Sequence, residues 1–242
     1  MKVLVLDVGG TNLKISQRAS EPPLKIPSGR DLTAERMARD VLEATAGWDY
    51  EAVSVGYPGP VAEGRPAEDP KNLGPGWVGF DFDAAFGRPV RVVNDAAMQA
   101  LGSYEGGRML FLGLGTGLGS ALVFESVLAP LELAHMPYRK GRSYEDYLGL
   151  RGYERLGRKR WQQHVEKVVT LLKRGLQVEY VVLGGGQSKK LKGLPPDTRL
   201  GNNANAITGG LRLWNDSQQD RKGHPFVVGL ALRGGTPAGP SA

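Results

Sequence analysis

Short apolar runs recur along the chain, and each stops at a residue that favours turns. The first run, "KVLVLD", is followed by glycines and then by "LKIS", a pattern that predicts a hairpin of two strands. Short apolar runs bounded by glycine, proline, asparagine or aspartate are typical of strands rather than helices. Further strands are predicted within "EAVSVGYPGP", "RPVRVVND", "MLFLGLGTGLGSALVF" and "EYVVLGGGQSKK".

Segments with helical periodicity alternate with these strands. Helices are predicted over Thr33–Ala46, "DAAMQALGSYEG", Ser143–Leu172 and "NNANAITGGLRLW", with a further helix start in "QSKK". Gly47 is expected to stop the first helix, and interruptions of the third are expected near Gly152 and Gly157. Residues 61–79 are rich in proline and glycine and predict a loop. The alternation of strands and helices predicts an α/β fold.

The composition is that of an ordinary globular protein, with 40% hydrophobic and 23% charged residues among 242. The absence of cysteine excludes disulfides, thiol catalysis and cysteine-based zinc sites. The N-terminal apolar run ends at Asp7, which is too early for a signal-peptide core, and no later run approaches the length of a membrane span. We therefore expect a cytoplasmic protein with no membrane partner.

Two distant segments share one pattern, an apolar strand that runs into a glycine turn and a second strand. They are "KVLVLDVGGT" and "RMLFLGLGTG", which superpose with an offset of 106 residues. The pattern indicates two related lobes facing a shared cleft, and chance similarity is the alternative. We predict an N-terminal lobe over residues 1–107, a C-terminal lobe over residues 108–232 and a disordered tail over residues 233–242.

Glycine occupies every second position from Gly113 to Gly119. Glycine inside a strand costs entropy and packs poorly, so the expected compensation is a group that approaches the backbone closely. Consecutive N–H groups in a glycine turn form a concave nest for an anion, and Thr11 and Thr116 would add hydroxyl donors. Two such turns predict a phosphate site, which the net charge of +6 also suits; tight hairpin turns are the alternative. Neither a Walker A sequence nor G-x-G-x-x-G is present at these turns.

Five segments occur in the order and spacing of a known family: "LDVGGTNLK", "VVNDAAMQALG", "LGLGTGLGSALV", "LELAHMPY" and "VVLGGGQSKK". Over residues 2–214 the chain resembles the ROK family of sugar kinases, in particular its polyphosphate glucokinase-like branch. The resemblance implies an actin-like ATPase (ribonuclease H-like) fold with two lobes around a cleft. It also implies phosphoryl transfer from ATP or polyphosphate to the 6-hydroxyl of glucose or a related hexose. A non-catalytic sugar-binding sensor or scaffold of the same fold is the alternative.

The resemblance assigns the phosphoryl donor to three glycine turns. Asp7 is implied to help hold the Mg²⁺ of the donor, which is ATP or polyphosphate. The third turn would lie against adenosine if the donor is ATP. The implied donor-binding residues are Asp7, Gly9, Gly10, Thr11, Lys14, Gly115, Thr116, Gly117, Gly184, Gly185 and Gly186.

The resemblance assigns the sugar to side chains near these turns. Asp95 is implied as the general base, and its place where a strand ends and a helix begins suits a residue that faces a cleft. Asparagine and aspartate also favour helix N-caps, so capping is the alternative role for "ND". The implied sugar contacts are Asn72, Asn94, Glu132, His135 and Glu154.

The chain departs from the family in the region of the sugar contacts. "LELAH" stands where many members have G-E-x-G-H, so that Leu131 and Ala134 replace glycines. Many members also bind a structural zinc through cysteines beyond this histidine, whereas "YEDYLGLRGYERLG" has none. We therefore expect no zinc.

A basic stretch, residues 139–161, holds eight arginine and lysine residues. It is interpreted as a solvated helix face with Glu145, Asp146 and Glu154 as partners, as a track for a polyanion such as polyphosphate, or as a nucleic-acid surface. We do not expect nucleic acid, because DNA-binding members of the family carry an N-terminal helix-turn-helix and the first glycine turn here begins within ten residues of Met1. The apolar segment 226–232 is either a last strand or an oligomer contact, and a homodimer would be common for the family.

Overall fold

The computed structural model describes residues 1–124, 127–202, 204–214 and 227–228. The strands are β1 (Val3–Val8), β2 (Asn12–Ser16), β3 (Leu24–Pro27), β4 (Ala52–Tyr57), β5 (Val61–Ala62), β6 (Arg65–Pro66), β7 (Val90–Asn94), β8 (Arg108–Leu114), β9 (Leu118–Phe124), β10 (Val127–Leu131), β11 (Pro137–Arg139), β12 (Arg142–Ser143), β13 (Tyr180–Gly184), β14 (Thr198–Leu200) and β15 (Val227–Val228). The α-helices are α1 (Ala34–Ala44), α2 (Phe82–Phe86), α3 (Asp95–Ser103), α4 (Tyr144–Leu148), α5 (Leu150–Gly175) and α6 (Asn205–Arg212), and short 3₁₀ turns lie at Leu133–His135 and Ser188–Lys190.

The first sheet has the strand order β3-β2-β1-β4-β7. β1, β4 and β7 are parallel, whereas β2 and β3 are antiparallel to their neighbours. Every residue of β1 and β4 is buried, which explains why their sequences are continuous apolar runs instead of alternating ones. α1 and α2 cover one face through a cluster that includes Met37, Val41 and Phe82.

The second sheet has the order β14-β13-β8-β9-β10-β15. β13 is parallel to both β8 and β14, and β8, β9 and β10 form an antiparallel meander. α5 covers one face with buried side chains that include Trp161, Val165 and Leu172. The two sheets form the two lobes of a mixed α/β fold, which confirms the predicted fold class; the lobe boundary at residues 107 and 108 stays a prediction.

α3 and α6 pack against each other and connect the two sheets. One cluster contains Val5 of β1, Leu101 of α3, Phe111 of β8 and Ile207 of α6. The approach of the two helices depends on glycine, because a methyl group at Gly209 of α6 would overlap the backbone carbonyl of α3. This packing fixes α3, and therefore its first residue, between the lobes.

α1 forms close to its predicted bounds. The Thr33 side chain accepts a hydrogen bond from the Arg36 N–H and so caps the helix. The helix ends at Ala44, and Gly47 follows with a φ of +83°, a conformation that favours glycine and stops a helix.

Two interruptions divide the predicted third helix, one between α4 and α5 and one within α5. Gly157 has φ 70° and ψ 160° and breaks the helical path of α5. The interruption predicted near Gly152 lies at Gly149, which has an extended ψ of −178°, whereas Gly152 itself is helical. Gly152 serves close packing instead, because a methyl group at this position would overlap the backbone of Tyr147 in α4.

Several short elements differ from the sequence expectations. The predicted loop 61–79 contains the small hairpin of β5 and β6, and the helix start expected in "QSKK" is a 3₁₀ turn. The sequence patterns also missed β3, β10, β14 and α2. All of these elements are short, so their periodicity is weak and tertiary contacts decide their conformation.

The predicted tail, residues 233–242, lies outside the described residues, as does most of the apolar segment 226–232. Within that segment Val227 and Val228 form β15, parallel to Val127 and Leu128 of β10. Among the helices of the described residues, none has the length and apolar character needed to cross a membrane.

Candidate active site

The carboxyl ends of β1, β4 and β7 meet at one edge of the first sheet. Asp7 of β1 is in register with Gly56 of β4, and Tyr57 of β4 with Asn94 of β7. Asp95 follows directly as the first residue of α3. Ligands of open α/β sheets bind at this edge, and it brings Asp7 and Asp95, 88 positions apart in sequence (95 − 7), into one site.

Asp95 carries a strongly perturbed carboxyl group. Burial, followed by the negative charge of Asp7, raises its pKa to about 7 from an ordinary value of 3.8. The charge of Glu132 raises the pKa further, whereas a hydrogen bond from the Ala96 N–H and the charge of Lys14 lower it. The Ala96 N–H donates to Oδ1 of Asp95 at 2.7 Å. A carboxylate that gains and loses its proton near neutral pH is suited to general-base chemistry.

Asp7 lies beside Asp95 and is paired with a lysine. The Lys14 Nζ donates to Oδ2 of Asp7 at 2.6 Å, and the two residues face each other in the register of β1 and β2. The Asp7 side chain is 8% exposed and that of Lys14 is 38% exposed. The lysine therefore presents its positive charge toward the cleft while it compensates a buried carboxylate.

The donor set of Asp7 fits Mg²⁺ only if a ligand supplies most of the coordination. Among the described residues no group of three histidine, cysteine, aspartate or glutamate side chains could hold a metal ion. Protein-bound Mg²⁺ commonly uses one or two carboxylates together with water and substrate phosphates. A single buried carboxylate beside an anion-binding turn satisfies that requirement.

Asn94 has a clear structural role. Its Oδ1 accepts the N–H groups of Ala96 and Ala97 at 3.0 and 3.2 Å and caps α3. Its Nδ2 donates to the Gly59 carbonyl at 3.0 Å. The capping alternative for this residue is thus realised, and one amide hydrogen stays available for the predicted sugar contact.

The first glycine turn joins β1 to β2. The Gly9 N–H donates to the Asn12 carbonyl at 3.1 Å, and Ser28 Oγ donates to the Gly9 carbonyl at 2.5 Å. Gly10 and Thr11 are exposed at its tip, and among the described residues their N–H groups have no backbone acceptor. The turn is therefore braced from behind and presents donors outward, as an anion nest requires.

Asn72 reaches this first turn from the segment after β6. A methyl group at Gly10 would contact the Cβ of Asn72 at 3.6 Å, and the Asn72 side chain is exposed. The structure therefore places this predicted sugar contact beside the predicted phosphate turn, where acceptor and donor would have to meet.

The second glycine turn joins β8 to β9. The Gly115 N–H is shared between the carbonyls of Gly113 and Gly117, both at 3.1 Å. The carbonyls of Gly115 and Thr116 accept the Leu150 N–H at the start of α5, at 3.0 and 3.2 Å. Among the described residues the N–H groups of Thr116 and Gly117 have no backbone acceptor. Backbone hydrogen bonds therefore stabilise this turn as well and leave two of its N–H groups available to an anion.

Glu145 at this second turn was missed by the sequence analysis as a site residue. Its Oε2 accepts the Leu118 N–H at 3.4 Å, and a methyl group at Gly117 would lie 2.5 Å from that oxygen. Arg151 binds the other carboxylate oxygen at 3.0 Å. The sequence analysis interpreted Glu145 only as an ion-pair partner, because nothing in its spacing signals contact with a turn almost thirty residues away.

The third glycine turn follows β13 and adjoins the second. Gly184 is in register with Gly113 of β8. The Gln187 N–H donates to the Leu114 carbonyl at 2.9 Å, and Gly185 has a φ of +79° and packs against that residue's backbone. Gly185 and Gly186 are exposed. The second and third turns therefore form one continuous rim on the second sheet.

Glu132 and His135 lie on an exposed turn between β10 and β11. His135 Nε2 is 3.9 Å from Oε2 of Glu132, and both side chains are more than 60% exposed. The negative charge of Glu132 contributes to the raised pKa of Asp95. The buried Ala134 between them packs into the second lobe.

Glu154 has no described contact with Glu132 or His135. It lies exposed on α5, and among the described residues no hydrogen bond or ion pair joins it to another side chain. Its predicted sugar contact stays a prediction without geometric support.

The basic stretch is mostly unpaired. Of its eight cations only Arg151 lies within 4 Å of a described carboxylate, contacting Glu145 and Asp146 at 3.0 and 3.9 Å. Arg155 lies over the ring of Tyr147 and donates to the Asp146 carbonyl. The expected network with all three acidic residues is therefore only partly formed.

Three further cations follow the third glycine turn: Lys189, Lys190 and Lys192. No described carboxylate lies within ion-pair distance of them. Lys190 Nζ lies 3.8 Å above the ring of Tyr153 on α5, and the Lys192 N–H donates to Gln162. The segment 188–192 therefore lines α5 with unpaired positive charge next to the donor-side rim.

Comparison with known proteins gives a consistent set of relatives. No family model matches the chain. Polyphosphate glucokinase from Mycobacterium tuberculosis (strain CDC 1551 / Oshkosh) is 24% identical over 207 residues, covering 76% of this chain and 77% of that protein. The corresponding protein of Mycobacterium leprae (strain TN) is 23% identical over 208 residues, covering 76% and 63%.

Solved structures share the fold. The inorganic polyphosphate/ATP-glucomannokinase of Arthrobacter sp. strain KM is similar with a TM-score of 0.71 and 25% identity, covering 88% of this chain and 98% of that one. A ROK family glucokinase from Streptomyces griseus, in complex with glucose and AMPPNP, gives a TM-score of 0.60 and 18% identity, covering 87% and 98%. The fold implied by the sequence resemblance is thereby confirmed.

Proposed function

The chain belongs to the ROK family of sugar kinases, and we propose that it transfers a phosphoryl group from ATP or polyphosphate to the 6-hydroxyl of glucose or a closely related hexose. The observation that carries the proposal is Asp95. It lies where β7 meets α3, its pKa is about 7, and Asp7, Lys14 and Glu132 all act on its charge. A reactive carboxylate surrounded by these groups is more than helix capping requires.

On the acceptor side, Asp95 takes the proton of the attacking hydroxyl. Such general-base assistance contributes about 10²–10⁴-fold to a rate. Glu132, His135, Asn72 and the free amide hydrogen of Asn94 are the proposed hydroxyl contacts. Exposed polar side chains suit a sugar, because hydrogen bonds to its hydroxyls replace those to water.

On the donor side, the glycine turns after β1 and β8 hold the phosphates. Phosphoryl transfer depends mainly on positioning and on neutralising the charge of the transferred group. Mg²⁺, when bound with the donor, supplies part of that neutralisation. Asp7 would hold the ion, and Lys14 keeps the buried Asp7 carboxylate compensated in its absence.

The donor is ATP or polyphosphate, and both suit the same turns. The third glycine turn would support adenosine. Polyphosphate is favoured by the unpaired lysines at positions 189, 190 and 192, since a chain of phosphates longer than that of ATP would extend beyond the turns. The names of the mycobacterial and Arthrobacter relatives also include polyphosphate.

A coupled assay for glucose 6-phosphate tests the proposal directly. Purified protein, Mg²⁺ and glucose are assayed in parallel with ATP and with polyphosphate, and mannose is included as a second acceptor. Wild type should turn over with at least one donor, and Asp95→Asn should lower kcat by about 10²–10⁴-fold. Asp31→Asn is the matched control, because Asp31 is an exposed aspartate whose side chain has no described hydrogen bond or ion pair.

Two results would contradict the proposal. Full activity of Asp95→Asn would remove the assigned base. Protection of wild type against heat by glucose, with no turnover under either donor, would favour a sugar sensor that retains the fold.

A further inference from the structure

Four aromatic side chains form a cluster between the exposed turn that bears Glu132 and His135 and helix α5. The cluster consists of Tyr138 of β11, Tyr144 and Tyr147 of α4, and His164 of α5. Of these four, only Tyr144 and Tyr147 lie in the segment 144–157, which corresponds to the region where relatives are implied to bind zinc. The chain has no cysteine, and within the described ranges no group of three potential metal ligands occurs.

Tyr138 is the centre of this aromatic cluster. Its ring lies 5.2 Å from that of Tyr144, 5.0 Å from that of Tyr147 and 5.6 Å from that of His164, measured between centroids. The last two contacts are edge-to-face, the arrangement that aromatic quadrupoles favour. Tyr138 therefore contacts both helices that bound this side of the second lobe.

One hydrogen bond joins two side chains of the cluster. The Tyr138 hydroxyl and Nδ1 of His164 are 3.0 Å apart. Burial lowers the pKa of His164, and the positive charges of Arg139, Lys167 and Arg155 lower it further. A neutral imidazole can accept the tyrosine proton at Nδ1, so the bond joins two uncharged groups and is present at neutral pH.

The backbone connects Tyr138 to the sugar-side turn over a short path. The Met136 N–H donates to the Leu133 carbonyl, and the Met136 carbonyl accepts the Tyr144 N–H at 3.0 Å. At the other end of the turn, Ser120 Oγ donates to the Leu131 carbonyl at 2.8 Å. The turn bearing Glu132 and His135 is thus fixed at one end by β9 and at the other by the aromatic cluster.

We propose that the Tyr138–His164 hydrogen bond positions the Glu132–His135 turn for the hexose, with both Tyr138 and His164 acting as positioning residues. The inference rests on the proposed function. Neither residue contacts the sugar. Each restricts the motion of the turn whose exposed side chains, Glu132 and His135, would contact it.

The test compares two substitutions of the same kind. Tyr138→Phe removes the hydroxyl that binds His164 and keeps the ring. Tyr144→Phe, the matched control, removes a hydroxyl of the same cluster that has no partner among the described residues. For Tyr138→Phe we expect the glucose KM to rise about three- to tenfold, the effect of one lost hydrogen bond. The KM of the donor should stay within twofold, and Tyr144→Phe should match wild type in both.

A binding measurement without donor separates positioning from catalysis. Glucose should raise the melting temperature of wild type and Tyr144→Phe at lower concentrations than it does for Tyr138→Phe. His164→Leu should reproduce the defect, and His164→Asn, which keeps an acceptor near the place of Nδ1, should recover part of the affinity.

Three outcomes would overturn the inference. Equal glucose KM for the two tyrosine variants would show that the hydrogen bond has no role in sugar binding. If Tyr138→Phe raises the glucose KM and the donor KM by the same factor and lowers the melting temperature, the hydrogen bond serves general stability alone. If wild type neither binds nor phosphorylates a hexose, the proposed function fails together with this inference, whereas the first two results leave that function intact.

Discussion

The pKa of Asp95 depends on the residues that surround it in the folded chain. The sequence placed it between a strand and a helix, and that place is confirmed. Its pKa could not be predicted, because Asp7 and Glu132 come from distant parts of the chain and burial depends on the whole cleft. The same limit explains why Glu145 was missed at the second glycine turn: its contact with Gly117 is purely tertiary.

The raised pKa of Asp95 predicts a pH-dependent stability. The folded chain binds this proton more tightly than the unfolded chain, whose carboxyl has the ordinary value near 3.8. Between about pH 4 and 7 the unfolded state has released the proton and the folded state has not, so stability falls as pH rises through this window.

Asp95→Asn removes that titration. Its melting temperature should equal that of wild type near pH 4 and exceed it by several degrees at pH 8, at roughly 2–4 °C for each kcal/mol of relieved destabilisation. Thermal unfolding across the pH range measures the difference, with Asp31→Asn as reference. A constant difference between the two proteins at all pH values would mean that Asp95 has an ordinary pKa.

Catalytic activity should rise with pH where stability falls, because both depend on deprotonation of Asp95. A general base must be deprotonated, so kcat/KM for the hexose should fall about tenfold per pH unit below pH 7. A pH–rate profile at saturating donor and Mg²⁺ measures it. A flat profile from pH 5 to 8 would contradict the assignment.

At the scale of elements, strands with strong patterns were predictable and their contacts were not. β1, β4, β7, β8, β9 and β13 coincide with apolar runs because both faces of their sheets are covered. Short elements such as β14 and α2 escaped prediction because few residues carry their pattern. Glycine was the most ambiguous signal: Gly157 breaks a helix, Gly152 allows close packing, and Gly117 accommodates a carboxylate.

The α3–α6 contact predicts a large penalty for one methyl group. In Gly209→Ala the new Cβ would overlap the carbonyl oxygen of Met98, so the helices must separate. We expect a loss of at least about 3 kcal/mol in the free energy of unfolding, the upper range for overpacking. Gly175→Ala is the matched control, since this helical glycine has open space around it and should be neutral or slightly stabilising.

Chemical denaturation of both glycine variants measures the difference. The separation of α3 from α6 should also displace Asp95, so Gly209→Ala should lose activity beyond its loss of folded protein. Equal stability of the two variants would mean that the helices do not approach at Gly209.

At the scale of the whole molecule, each of the two sheets carries at least one glycine turn at the end of a strand. The repeated strand-turn-strand pattern predicted a hairpin in each lobe, and the hairpins β1–β2 and β8–β9 are both formed; that their turns share a cleft stays a prediction. What the pattern could not predict is the asymmetry of charge. The first turn has the Asp7–Lys14 ion pair beside it and the second has Glu145 with Arg151, whereas the lysines that follow the third turn have no described carboxylate within ion-pair distance.

The lysines that follow the third turn predict a difference in KM between long and short phosphoryl donors. A double variant, Lys189→Gln with Lys192→Gln, removes two exposed charges next to the third turn. The KM for long-chain polyphosphate should rise about two- to fivefold per lysine, the size of an exposed ion pair. The KM values for ATP and tripolyphosphate should change less than twofold, because these short donors end at the turns.

Salt provides a second measure of the same interaction. Exposed charges are screened within about 10 Å at 0.1 M salt. The polyphosphate KM of wild type should therefore rise with salt more steeply than that of the double variant. The control is Arg36→Gln with Arg39→Gln on α1, which removes as much charge from the helix covering the first sheet. If the control and the lysine variant weaken long-chain polyphosphate equally, only net charge matters; if ATP weakens as much as polyphosphate, the lysines serve the turns themselves and no extended track exists.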